Sequence, residues 1–73
     1  MIVRLQNRVD IRTFCEPYVT QNGAAYAVFM RTRWNGGAVE CGRYLEESRA
    51  KGVLLEMILA YQRQERVFYM PDE

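Results

Sequence analysis

Residues 3–12 read Val3-Arg4-Leu5-Gln6-Asn7-Arg8-Val9-Asp10-Ile11-Arg12, and their alternation decides the fold class. Val3, Leu5, Val9 and Ile11 fall at odd positions, with Arg4, Gln6, Arg8, Asp10 and Arg12 between them. Successive side chains of a strand point to opposite faces, so the pattern predicts a sheet with one buried face and one face displaying three arginines. From Val3 to Thr13 the run is long against a usual strand length of about 5 to 6 residues, and Gln6-Asn7-Arg8 is a natural place for a bend. On this reading the odd-even phase persists through such a bend.

Beyond it, Glu16-Pro17 breaks ladder pairing, and Tyr18-Val19-Thr20-Gln21 leads to Asn22-Gly23, a strong hairpin signal because a type I′ turn needs positive φ at both central residues. The returning strand runs Ala24 to Trp34. Tyr26, Val28, Met30, Thr32 and Trp34 share one of its faces, and Ala27, Phe29, Arg31 and Arg33 the other. A turn at Asn35-Gly36-Gly37 then precedes a short strand near Ala38 to Cys41, completing an antiparallel meander.

From Arg43 to about Glu65 the apolar period changes to three or four, with Leu45, Val53, Leu54, Met57, Ile58 and Tyr61 on one side, which predicts the main helix. Glu47 with Lys51 and Glu46 with Arg49 are spaced as helix-surface pairs. Gly52 either splits this helix or lets it approach the sheet closely. Val67 to Met70 reads as a last short strand. The expected fold is α+β: a small antiparallel meander sheet of three to five strands with one main helix packed on one face, in one domain spanning residues 1–73. Its expected core is Val3, Leu5, Val9, Ile11, Val28, Met30, Leu54, Ile58 and Tyr61.

With 73 residues the chain buries a smaller share of its surface than a larger domain would. It opens Met1-Ile2-Val3-Arg4 rather than with a charged start, a long apolar run and a cleavage site, so Cys15 and Cys41 are expected reduced and the protein cytoplasmic. No apolar run approaches the roughly 20 residues that span a bilayer, and no membrane partner is expected. The net charge of +1 argues against nucleic-acid binding driven by bulk electrostatics. Its distribution is uneven: residues 1–34 carry five arginines against Asp10 and Glu16, a net +3, and residues 35–73 carry five cations against seven carboxylates, a net −2.

There is no histidine, which removes the commonest general base and transition-metal ligand. Ser48, the single serine, lies among charges in the helical segment, and the cysteines lack the spacing of zinc or redox pairs. Glu46-Glu47 point about 100° apart on a helix and suit ion pairs and the N-terminal dipole better than acid–base work. Asn35-Gly36-Gly37 lacks the lysine and helix of a phosphate loop. No catalysis, cofactor or metal is expected.

The remaining constellation is the arginine face: Arg4, Arg8, Arg12, Arg31 and Arg33, with Phe29 exposed among them and Trp34 at the rim. Such a surface can receive an acidic partner protein or grip single-stranded nucleic acid by phosphate contacts and stacking, and a plain solvated sheet face is the alternative. Trp34 either caps the core rim or meets a partner, and Tyr18, Tyr44 and Tyr69 are left unassigned. A partner segment adding to an open sheet edge is a further route.

From MIVRLQNRVDIRTF through FMRTRWNGG to VFYMPDE, the chain resembles, in size and general run rather than in any motif, small regulators that lytic phages make to control their host's RNA polymerase. The resemblance implies direct binding to a subunit of bacterial RNA polymerase in the host cytoplasm, suppression of promoter recognition, and read-through of terminators. Single-stranded nucleic acid as a secondary partner, or a counter-defence role such as that of an anti-CRISPR protein, are the alternatives. The oligomeric state is open, because an exposed edge can also pair with its own copy.

Overall fold

The computed structural model describes residues 1–32 and 36–73. Among them the chain forms β1 (Ile2–Arg4), β2 (Ile11–Thr13), β3 (Pro17–Asn22), β4 (Ala25–Arg31), β5 (Ala38–Tyr44), α1 (Glu47–Gln62) and β6 (Val67–Tyr69). The fold is α+β, as its alternating and helical periods require. The strands make two three-stranded sheets rather than one meander, ordered β2-β1-β6 and β3-β4-β5. The second is the expected antiparallel meander. In the first, β6 runs parallel to β1, with Ile2 opposite Val67 and Arg4 opposite Tyr69.

The opening segment is not one strand. Arg8 N–H donates to the Leu5 carbonyl at 2.9 Å, and the Asn7 side-chain oxygen accepts from the amides of Val9 (2.9 Å) and Asp10 (3.1 Å). This side-chain turn satisfies the backbone locally and separates β1 from β2. Val9 is lifted to 82% exposure, so it is no core residue.

Between β3 and β4, Asn22 pairs with Ala25, which leaves Gly23-Ala24 as the two-residue loop. Gly23 alone has positive φ there (65°), the arrangement of a type II′ turn rather than the I′ turn read from Asn22-Gly23. The β4–β5 ladder shifts register between Val28 and Phe29, so that Gly42 faces Val28 and Glu40 faces Phe29, with Cys41 as the extra residue. Gly42 sits in a tight space: a Cβ there would lie 3.0 Å from the Tyr44 hydroxyl and 3.1 Å from Met70 Cε.

α1 is continuous through Gly52, and a Cβ at that position would meet nothing within 4 Å, so neither a split nor a close approach accounts for this glycine. Its buried residues are Ala50, Val53, Met57 and Ala60. The stripe thus sits one position away from the expected Leu54-Ile58-Tyr61 set, with two small alanines among the buried positions and the bulkier side chains flanking them. Leu54 and Ile58 are half-buried, Leu45 is exposed, and Tyr61 stacks on Phe14 with ring centroids 4.5 Å apart. Arg49 pairs with Glu56 at 3.8 Å rather than with Glu46. Gln64 (φ 61°) takes the left-handed position after the helix, where its N–H reaches the Tyr61 carbonyl and that of Glu65 the Ala60 carbonyl.

The core joins both sheets to the helix: Val3 and Leu5 of the first, Val28, Met30, Cys41 and Tyr44 of the second, Ala50, Val53 and Met57 of α1, and Met70. Gln6 links the sheets, since its N–H donates to the Cys41 carbonyl at 2.8 Å. Among the described residues no helix is long and apolar enough to cross a membrane.

Candidate functional site

Register decides which side chains share a surface. Val3 lies opposite Arg12 and Arg4 opposite Ile11. Directly opposed residues point to the same side, so Arg12 stands on the core side with buried Val3, and Arg4 stands with Ile11 on the outer side. Arg4, Arg8 and Arg12 therefore do not form one stripe. Arg8 occupies the β1–β2 connection with φ 63° and ion-pairs with Asp72.

The outer side of β2-β1-β6 carries Ile2, Arg4, Ile11, Thr13, Val67 and Tyr69, every one of them exposed. Arg4, on the central strand, sits 5.9 Å from the Tyr69 ring centroid, and its Nη2 reaches the Arg8 carbonyl at 3.4 Å. It has no carboxylate within 4 Å among the described residues. Four apolar or aromatic side chains thus share an open sheet face with a guanidinium that no carboxylate among the described residues neutralises. A soluble domain normally buries one face of a small sheet and leaves the other polar, so this combination suits contact with another macromolecule.

No protein-family model, curated protein or solved structure matches this chain.

The other expected site residues lie elsewhere. Phe29 and Arg31 belong to the second sheet, where Phe29 stacks on Tyr18 (5.6 Å) and the Arg31 guanidinium lies 5.6 Å over the Tyr18 ring. Arg31 also pairs with Glu16 at 3.4 Å. Arg33 and Trp34, together with Asn35, lie outside the described residues. Arg12 and Arg31 do converge, on an open cleft of about 390 Å³ between the sheets that Cys15, Met30 and Val39 also line.

Tyr69, Val67 and Ile2 were not singled out by sequence reasoning. The alternation of exposed Val67 and Tyr69 with partly and fully buried Phe68 and Met70 is the signal that could have found them.

The ionisable groups inside the fold are inert. Burial, reinforced by nearby Glu40, pushes the Cys41 thiol up to about 12, which keeps it protonated and non-nucleophilic. Burial likewise raises Tyr44 to about 12, and its hydroxyl donates to the Pro71 carbonyl at 2.7 Å. Among the described residues no three histidine, cysteine or carboxylate side chains come together as metal ligands would.

Proposed function

We propose that the protein is a non-catalytic binding protein that docks on the host's bacterial RNA polymerase, inhibits transcription initiation and allows terminator read-through. The partner is supported by the resemblance of the chain to small phage regulators of polymerase. Binding as the mode of action is supported by one observation: the outer face of β2-β1-β6 presents Ile2, Ile11, Val67 and Tyr69 to solvent around Arg4. Aromatic and arginine side chains set in apolar surroundings are the usual energetic centres of protein interfaces.

The test is affinity capture by the tagged protein from bacterial lysate, with and without nuclease, followed by promoter and terminator assays with purified polymerase. Nuclease-resistant capture of polymerase subunits, with inhibition at promoters and read-through at terminators, is expected. Retention of nucleic acid alone, or of a defence complex without polymerase, overturns the proposal.

A further inference from the structure

Among the described residues, the outermost strand β2 leaves half of its backbone unpaired. Leu5 N–H donates to the Asp10 carbonyl (3.0 Å) and Phe14 N–H to the Met1 carbonyl (2.8 Å), marking these as hydrogen-bonded pairs of the β1–β2 ladder. The two-residue repeat of an antiparallel ladder makes Val3/Arg12 another such pair, so Ile11 and Thr13 turn their N–H and C=O groups away from β1. The Ile11 carbonyl receives its neighbour's Arg12 Nη1 at 2.9 Å. The two N–H groups and the Thr13 carbonyl meet no partner among the described residues.

Beside this edge lies the open cleft of about 390 Å³, with Met30 and Val39 on its far wall and Arg12 and Arg31 at its rim. Arg12 has no carboxylate within 4 Å among the described residues, whereas Arg31 shares the largely exposed Glu16. The edge therefore offers backbone donors, an apolar wall and positive charge together.

We propose that an extended acidic segment of the partner protein adds to β2 as a fourth strand. Its carbonyls accept from Ile11 and Thr13 N–H, and one of its carboxylates lodges between Arg12 and Arg31. This inference rests on the polymerase reading and specifies the chemistry of the contact. A second copy of the chain fits worse. The symmetric register that uses both Ile11 and Thr13 sets Arg12 directly opposite Arg12 of the copy, and like charges so placed oppose pairing.

Proline at position 13 removes only the outward N–H and leaves the β1 ladder whole, so Thr13→Pro is the specific probe and Thr13→Val, which keeps the N–H, its control. Binding to purified bacterial core polymerase is measured for wild type, Thr13→Pro, Thr13→Val and Arg12→Glu, alongside amide hydrogen exchange of the wild-type protein free and bound. Affinity is expected to fall about tenfold or more in Thr13→Pro and Arg12→Glu, to persist in Thr13→Val, and the Ile11 and Thr13 amides to slow about tenfold on binding, as new hydrogen bonds and a lost ion pair dictate. Undiminished binding by Thr13→Pro with unprotected Ile11 and Thr13 amides overturns the edge contact and leaves polymerase docking standing. A wild-type protein that fails to bind polymerase overturns both. A dimer in sedimentation that Thr13→Pro converts to monomer assigns the edge to a second copy instead.

Discussion

Gln6 and Arg43 exchange two hydrogen bonds across the sheet junction: Arg43 N–H donates to Gln6 Oε1 at 2.8 Å, and Gln6 Nε2 donates to the Arg43 carbonyl at 3.2 Å. The same Nε2 also reaches the carbonyls of Pro71 (3.1 Å) and Asp72 (2.8 Å). One amide thus holds the end of β1, strand β5 and the C-terminal segment together. Gln6→Glu keeps the acceptor for Arg43 N–H but cannot donate to three carbonyls, while Gln6→Leu loses both roles. Each is expected to lower stability in denaturant melts by about 0.5 to 1.5 kcal/mol, since most of these bonds are open to solvent and the Pro71 carbonyl keeps the Tyr44 hydroxyl. Loss of the C-terminal contacts should appear as faster amide exchange at Met70.

Gly42→Ala tests the close approach at the bulge. The new methyl group meets the Tyr44 hydroxyl, which is tethered to Pro71 and cannot easily withdraw. A loss of about 1 to 3 kcal/mol is expected, as for overpacking elsewhere. The same change at Gly52, where a Cβ meets nothing, is expected to stabilise the helix by up to about 1 kcal/mol.

Gln64 holds a left-handed conformation that glycine adopts without steric cost. Gln64→Gly should raise the melting temperature by a few degrees, corresponding to about 0.5 to 1 kcal/mol in a domain of this size.

Stability should fall on the alkaline side. Cys41 and Tyr44 have ordinary values of 9.0 and 10.0 and are both raised to about 12 by burial. Well below pH 9 both are protonated whether the chain is folded or not, and the stability they contribute is fully present. Above that the unfolded chain releases protons that the folded one retains, so stability declines until the folded values near 12 are passed. Denaturant midpoints measured between pH 8 and 11 should decrease, and Cys41→Val should flatten the decline.

Arg4→Glu and Phe29→Ala separate the two surfaces on which the expected site residues lie. Arg4 is central to the outer face of β2-β1-β6, while Phe29 stacks on Tyr18 in the other sheet. Replacing Arg4 should weaken polymerase binding about tenfold or more without changing the circular dichroism spectrum, as loss of an interface arginine commonly does. Phe29→Ala should leave binding within about threefold of wild type, given that contacts away from such centres are close to neutral.

Much of the fold was legible because period survives where packing is regular. The helix, the β3-β4-β5 meander and the strand at Val67 all show their repeat directly. The first segment misled because the Asn7 turn lies inside it: an even number of residues in the β1 to β2 excursion would preserve phase along a straight strand, but a hairpin pairs Val3 with Arg12 and exchanges the faces. Val9 and Ile11, odd-numbered like Val3, consequently become exposed. The helix stripe was displaced because Ala50 and Ala60 carry little hydrophobic signal yet are buried. The candidate site escaped for a topological reason. Tyr69 joins Arg4 only through the parallel pairing of β1 with β6, and no local pattern announces which distant strand will lie alongside another.

That parallel pairing also sets when the open face can form. The central strand of the open face and its neighbour β6 are separated in sequence by β2 to β5 and α1, with Met70 N–H closing the ladder onto the Arg4 carbonyl at 3.0 Å. Contacts between segments so far apart in sequence form late, after the entropy of closing the intervening chain has been overcome. A nascent chain can therefore assemble its β3-β4 hairpin early, but Arg4 and Tyr69 meet only once the segment carrying Tyr69 has cleared the ribosome. The open face is therefore assembled only after the chain has been made as far as β6.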